Sequence, residues 1–526
     1  MRWYDSQEIS YDKAKRRSVE EYVTPLSQDL QDELRGNATG YVILPGDPMY
    51  DGLRQGHNKD FDTFPAVIVK CLTEADVRLC LRVGEASGLS VVARSGGHST
   101  AGFSSLTNAI VVDMSDYNNV WIHEDKTKVT VGAGCNFRKL NGMLEDHNLH
   151  LTGGSCNDVC VAGYMMGGGY GWSSRLYGMN CDLVESAEVM LTDGIIVVAS
   201  NDQNKELFRA LRGGTGSNFG ILLNVTYHLQ NDAVFEGFSV RWSLETEEDR
   251  RTAAEAMHIF QRKIIPNELR MGIQILWSHN QGVTPDGKAW KPQMMMRGVF
   301  RPEEGVTLPP YQVLLDLPGA ELEYAVEPLP YTKMNVRLLT TPYSIPQITA
   351  EQHATIKESK LSRILDAPLP QEVWLDLMNK YIETPNPYTL TAMEVYGGAI
   401  SDEVGGPTVF VHRKGQIDFF VDVFWWPGED PEEEKRVKAE LEQFLEDMMA
   451  LLGDHWNGGV YQNYPNVNDA EFAGHYWGDL YPELAALKQK YDPKNILRYP
   501  QGIGVVRGKP SDNLPTFDDP IVPRPA

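Results

Sequence analysis

The chain predicts an α+β protein built from two domains. Three changes of texture along its 526 residues predict this. Glycine-rich strands and helices alternate up to about residue 232. Glycine then thins out, and strands of alternating polarity stand between helical segments to about residue 454, the pattern of a separate α+β domain. From 455 the chain turns rich in aromatic residues and asparagine and ends in a proline-rich, extended tail. A chain this long does not close around one simple core.

The elements follow in order. Residues 11–36 carry an amphipathic pattern that predicts a helix ending at Gly36. The run 65–70 predicts a buried strand. Thr73 opens a helix with capping-box spacing to Asp76, and that helix runs to Gly88. A strand at 90–93 completes a βαβ unit and leads straight into a glycine turn. Further strands are expected at 109–113, 128–132, 188–191, 195–199 and 221–229. In the second domain 271–277 and 418–425 alternate, and a helix at 480–491 stops at Asp492 and Pro493.

Composition limits function. The net charge of −24 argues against nucleic acid and anionic membrane as partners. No apolar run is long enough to span a bilayer, and the N-terminus shows no signal peptide. The expectation is a cytoplasmic monomer or homodimer that acts on small molecules. Six cysteines (Cys71, Cys80, Cys135, Cys156, Cys160 and Cys181) contain no CxxC pair and are too sparse for a disulfide scaffold. His147 and His150 have the spacing of a metal pair but no further ligands beside them, so no metal is expected. The sequons Asn37-Ala38-Thr39 and Asn224-Val225-Thr226 matter only in a secreted protein.

Four segments carry chemistry. Arg94-Ser95-Gly96-Gly97-His98-Ser99 follows a buried strand. Consecutive glycines let its amides converge on an anion, and Arg94 adds positive charge. Alone, the segment reads as readily as a tight turn with a capping histidine. The second segment runs Gly153-Gly154-Ser155-Cys156 to Val159, then through Gly163 to Gly167-Gly168-Gly169-Tyr170-Gly171. Its glycine density means that the backbone passes close to something, but its placement does not fit a Rossmann fingerprint. Cys156 and Cys160 alone read as buried structural thiols. The third is the loop from Arg212 through Asn218 to Gly220, which enters a strand at Ile221. The fourth is Tyr461-Gln462-Asn463-Tyr464, whose tyrosines alone read as interface aromatics.

In this order and spacing the four segments resemble the berberine bridge enzyme-like FAD-linked oxidases, within the vanillyl-alcohol oxidase and p-cresol methylhydroxylase superfamily. The resemblance spans 40–230 and 455–503, with patches between at Tyr396-Gly397-Gly398 and His412-Arg413. It implies a two-domain p-cresol methylhydroxylase-type FAD-binding fold. An FAD domain would occupy 1–232, with its core at 60–232. An inserted α+β substrate domain, an antiparallel sheet backed by helices, would occupy 233–454, and a berberine bridge-like segment at 455–526 would return to the FAD domain. The resemblance also implies covalent FAD, joined at 8α through His98 and, as in bicovalent members, at C6 through Cys156 rather than Cys160. Val159 takes a position on the approach of oxygen, where valine resembles the oxidase members. Asn218, Gly220 and Ile221 lie along the cofactor, Tyr461 and Asn463 belong to the same site, and Tyr464 stands where many members keep a catalytic tyrosine base. The implied activity is oxidation of a CH–OH group of a small molecule or secondary metabolite, by hydride transfer to flavin N5, with O2 as acceptor and H2O2 as product.

Two departures sharpen this. Berberine bridge enzymes proper use a glutamate base on a middle-domain strand, whereas the strand at 418–426 holds Asp418 and Asp422 on one face and no glutamate. That favours alcohol oxidation over C–C bridge formation. Tyr464 is followed by Pro465-Asn466 where many members have Arg-Asp. A tyrosine titrates near ~10 and serves as a base only where its neighbours favour phenolate. The alternatives are a carbohydrate oxidase forming lactones, with Trp277, Trp290, Trp425 and Trp426 as candidate stacking platforms, and a cyclase or isomerase with no net O2 consumption.

Overall fold

A computed structural model describes residues 22–231, 234–278, 291–302, 305, 308–339, 350–428, 430–504, 517 and 519–525. Trp290, residues 11–21 and most of the proline-rich tail lie outside the described residues.

The first sheet holds β1 (Tyr41–Ile43), β2 (Val67–Lys70), β3 (Val91–Arg94) and β4 (Ile110–Asp113) in the order β1-β2-β4-β3. The helix Glu74–Ser87 connects β2 to β3; Thr73 and Asp76 close the capping box, and Gly88 ends the helix in the left-handed region at φ 70°. The crossover skips one strand position, and β4 fills the gap, pairing in parallel with both β2 and β3. The second sheet is antiparallel. It holds β5 (Val120–Ile122), β6 (Lys128–Gly132), β7 (Val184–Met190), β8 (Ile196–Ser200) and β9 (Ile221–His228), in the order β5-β6-β9-β7-β8. The two sheets share one core, which includes Val69, Val112, Val131 and Val225, and the C-terminal segment adds Tyr461, Trp477, Leu484 and Leu497 to it.

The third sheet has seven antiparallel strands: β10 (Val234–Ser243), β11 (Met271–Ser278), β12 (Gln293–Phe300), β13 (Glu321–Pro330), β14 (Lys357–Leu365), β15 (Leu390–Val395) and β16 (Ile417–Trp425). Their order is β13-β10-β12-β11-β15-β16-β14. Side chains alternate across a strand, so each strand presents two faces. Trp277, Met393, Phe419 and Trp425 point to one face and pack with Trp374, Leu445 and other residues of the covering helices. Leu276, Met295, Ala392 and Phe420 point to the other, where they meet Tyr464 of the C-terminal segment. That second face looks onto the glycine-rich domain and forms a wall of the site.

One expected element is shorter than the sequence pattern suggests. The only helix in the described part of 11–36 is Gln28–Asn37, with Ser27 as its cap. Pro25 explains the late start: it biases Thr24 to extended backbone and offers no amide to an earlier turn. The Thr24 hydroxyl donates to Ala66 O at 2.7 Å instead.

Candidate active site

Two glycine segments meet where the sheets of the first domain face each other. A Cβ placed on Gly96 would fall 3.1 Å from the Cys160 sulfur, 3.1 Å from His98 Cδ2 and 3.3 Å from Asp158 O. The turn after β3 therefore packs directly on the loop 153–160. Among the described residues the backbone amides of 95–99 and 153–158 donate to no protein group. Most of these residues are exposed or half-buried, so their amides are open to a ligand. Two apposed runs of open amides suit a ligand with anionic oxygens, and this donor chemistry fits the pyrophosphate of FAD. Positive charge from Arg94 does not join them. Its guanidinium is paired with Asp113 at 2.6 Å in the interior and also donates to Leu53 O. Arg94 thus braces β3 against β4, which corrects its expected part in holding an anion.

The other glycines are close to protein. Gly167 admits no side chain, because a Cβ there would sit 2.0 Å from Asn463 Oδ1. Gly168 and Gly169 take φ of 113° and 86°, a turn that only glycine adopts without strain. The turn aims two amides at Tyr461 Oη, which accepts from Gly169 N at 3.0 Å and Tyr170 N at 3.2 Å. Asn463 Nδ2 donates to Tyr461 Oη at 3.0 Å and to Tyr164 O at 2.9 Å. Tyr461 and Asn463 therefore dock the C-terminal segment on the second glycine loop. Asn218 does the same for the third loop: its amide donates to Gly214 O at 2.8 Å, and its Oδ1 accepts from Ile503 N at 2.8 Å.

His98 lies with its ring stacked on His57, centroids 4.8 Å apart. Burial lowers the proton affinity of both rings, that of His57 to about 4, so both are neutral near neutral pH. Cys160 is buried and donates to Gly134 O at 3.3 Å. Cys156 alone of the six cysteines is exposed. Burial by the surrounding walls still pushes its thiol up, while Lys360 pulls it down. Val159 lies beside it, partly buried against the first core.

Docking of the C-terminal segment delivers Tyr464 to the open face of the third sheet. Tyr464 Oη donates to Glu394 Oε1 of β15 at 2.7 Å. The ring packs on Phe420 of β16 at 4.8 Å, and Lys360 Nζ of β14 stands 4.3 Å over its centroid. Lys360 also pairs with Asp422 Oδ2 at 2.7 Å. Cross-strand register explains the grouping: Lys360 is opposite Asp422, and Glu394 is opposite Asp418. Burial raises all four carboxyls on this face. Glu394 reaches about 7, held down by Tyr464 and Lys360, and Glu358 reaches about 8, helped by Asp422. Asp418 and Asp422 are also raised. Burial pushes the Tyr464 phenol well above its ordinary range, with Glu394 adding to the shift. Burial and Glu394 thus work against a resting phenolate. Tyr464 is neutral at rest, and Glu394 is the group able to take its proton. A cavity of about 1120 Å³, lined in part by Lys59, Thr100, Glu358, Lys360, Pro465 and Asn466, opens beside this group.

Asp418 and Asp422 do face the site. Sequence reasoning missed Glu394, Lys360, Glu358 and His57. Glu394 lies two residues before Tyr396-Gly397-Gly398, a signal that was present in the chain. Trp277 and Trp425 belong to the helix-covered core and offer no stacking surface, while Trp426 sits at the strand end against Tyr388. His150 is buried with Nε2 2.8 Å from Ser173 Oγ, and no group that could hold a metal occurs among the described residues.

Comparison with known proteins adds three kinds of match. The family model described as FAD binding domain matches residues 65–200, and the model described as berberine and berberine like matches 460–504. The chain is 32% identical over 212 residues to an FAD-linked oxidoreductase of Aspergillus niger, a match that covers 40% of the chain and only 39% of that relative. It is 26% identical over 486 residues to a carbohydrate oxidase of Microdochium nivale, covering 90% of the chain and 94% of the relative. Among solved structures, a berberine bridge enzyme-like protein of the moss Physcomitrella patens shares the fold, with a TM-score of 0.75 at 22% identity, over 90% of this chain and 99% of that one.

Proposed function

We propose that the chain is a berberine bridge enzyme-like FAD-linked oxidase, one that takes two hydrogens from a CH–OH group of a small molecule, with O2 as acceptor and H2O2 as product. The hydrogen bond from Tyr464 to Glu394 at 2.7 Å carries this reading. It puts a proton acceptor behind a hydroxyl that lies on the wall between the two domains. FAD, when bound, supplies the hydride acceptor and passes the electron pair to O2. The open amides of 95–99 and 153–158 would hold its phosphates, with His98 and Cys156 as points of covalent attachment.

The chain's own residues handle the proton. Tyr464 takes the proton of the substrate hydroxyl as its own proton passes to Glu394 Oε1. Because burial disfavours a resting phenolate, the two transfers are coupled, and Tyr464 is a relay. Lys360 over the ring stabilises negative charge that builds on the phenol, worth about 0.5–2 kcal/mol for a desolvated contact of this type. The wide cavity beside Lys360 admits a bulky substrate.

The test is anaerobic mixing of the holoenzyme with a panel of alcohols and oligosaccharides, followed by admission of O2. Tyr464→Phe should slow flavin reduction by about 10²-fold or more with flavin content unchanged. An unaltered reduction rate would remove Tyr464 as the relay. Turnover of a polyene or alkaloid without O2 uptake would replace the oxidase reading by a cyclase.

A further inference from the structure

The strand row beneath Tyr464 holds one carboxyl more than the proton path requires. Antiparallel pairing sets Glu394 directly opposite Asp418 on one side and opposite Gln274 of β11 on the other. Gln274 Oε1 accepts from Arg297 Nη2 on β12 at 3.1 Å, and its amide makes no hydrogen bond to Glu394 Oε2. Glu394 is 5% exposed and Asp418 is fully buried. Among the described residues, Glu394 Oε2 and both carboxyl oxygens of Asp418 have no hydrogen-bond partner in good geometry. Directly opposed residues of adjacent strands bring their Cβ atoms to about 4.5–5.5 Å. Two buried carboxylates at that spacing, with Glu394 held on one oxygen by the neutral Tyr464 hydroxyl, do not both carry charge.

Of the cations on this face, Lys360 acts on both carboxyls, while Arg297 of β12 is turned to Gln274 Oε1 and Leu338 O. Lys360 and the Ser362 hydroxyl, both on β14, favour the charged form of Asp418, but Lys360 is matched by Asp422 at 2.7 Å. The phenols that face the pair are Tyr464 and Tyr461 from the C-terminal segment, Tyr170 from the glycine loop and Tyr396 beyond β15. Burial keeps all four neutral. Glu358 next to Lys360 and Asp422 is also raised, to about 8, and brings no charge near neutral pH.

We propose that Asp418 and Glu394 act as a pair carrying one negative charge at rest, with Asp418 holding the proton and Glu394 ready for the one that leaves Tyr464. The proposal rests on the Tyr464–Glu394 path and deepens it. The substrate O–H bond breaks as a new Tyr464 O–H forms, the former Tyr464 proton binds Glu394, and the pair goes from one negative charge to none. Asp418 touches neither substrate nor cofactor. It is a positioning residue that offers its proton to the open oxygen of Glu394 and so keeps the Glu394 carboxylate within the working range.

Two measurements on the holoenzyme test this. In infrared spectra taken near neutral pH, Asp418→Asn should lose one carbonyl band of a protonated carboxyl that Asp422→Asn keeps. In the pH profile of anaerobic flavin reduction, Asp418→Asn still offers a donor to Glu394 and should leave the acidic limb in place. Asp418→Leu offers none and should move the limb up by about one pH unit, roughly a 10-fold loss of rate below it. An Asn variant with the full set of carboxyl bands overturns the proposal. So does an Asn variant whose limb moves down, because that is the effect of removing a negative charge. If Tyr464→Phe leaves reduction unchanged, the relay reading falls, while the infrared band still decides whether the pair holds one charge.

Discussion

Cys160 turns its sulfur onto Gly134 O at 3.3 Å inside the first core, whereas Cys156 presents an exposed sulfur on a loop of open amides. Four residues of spacing thus separate a buried cysteine from an exposed one. A thiol reacts as thiolate, and the burial that raises Cys156 is partly countered by Lys360. His98 is neutral and stacked on His57. The expected outcome is that acid-precipitated protein stays yellow and that Cys156→Ala keeps its flavin through His98 but changes its absorbance spectrum. Cys160→Ala should match the parent spectrum. Peptide mass spectrometry reads the attachment points directly, and flavin found on Cys160 would defeat the assignment.

The domain contact is held by buried arginines. Arg413 pairs with Asp182 at 2.6 Å, both side chains nearly without exposure, and donates to Ile400 O and Thr408 Oγ1. Arg175 donates to the carbonyls of Met271, Ile265 and Glu268 at the start of β11, the middle strand of the third sheet, and Arg212 to those of Gly405 and Pro407. Arg413→Leu leaves Asp182 buried and unpaired, which costs about 3–5 kcal/mol, whereas adding Asp182→Leu should recover most of that loss. Urea unfolding of the three proteins checks it, and a double variant as unstable as the single one would show that the pair itself supplies the stability. Much of this framework was legible in the chain. Capping at Thr73, the glycine turn after β3 and the strand at 221–228 depend on neighbours a few residues away, so local chemistry reveals them. The early helix was over-read because the 3.6-residue pattern ran through Pro25. Glu394 had a signal in the Tyr396-Gly397-Gly398 patch two residues on, but its place in the site was not legible, for a different reason. Alternation puts Asp418 and Asp422 on one face, but which face meets Tyr464 depends on helices far along the chain, and Glu394 joins them only through the β15–β16 register. The glycines of the second loop indicated close approach correctly, but their neighbours in the structure include Asn463, Phe410 and Tyr164.

Collecting so many titratable groups in a dry wall gives the whole protein a distinct dependence of stability on pH. Two opposing sets contribute. His57 and His412 are held down to about 4 by burial, against an ordinary 6.5. Between those values the unfolded chain binds protons that the fold does not, so stability rises with pH up to about 6.5. Glu394 and Glu358 are raised to about 7 and 8 from an ordinary 4.5. For these the fold keeps protons that the unfolded chain releases, so their contribution is complete below about 4.5 and is lost as pH rises to about 8. Asp418 and Asp422 act in the same direction. Below about 6.5 the sets oppose each other, and above it only the carboxyls remain. The net charge of −24 adds self-repulsion that also grows with pH. Above the histidine value stability should therefore fall as pH rises. Urea midpoints measured from weakly acidic to weakly alkaline pH should show that decline, and Glu358→Gln should flatten it, because its neutral amide has no proton to lose. A midpoint that climbs through this range, or a Glu358→Gln slope equal to the parent's, would mean that these carboxyls are already ionised in the fold. The wall would then hold its protons elsewhere than on the sheet.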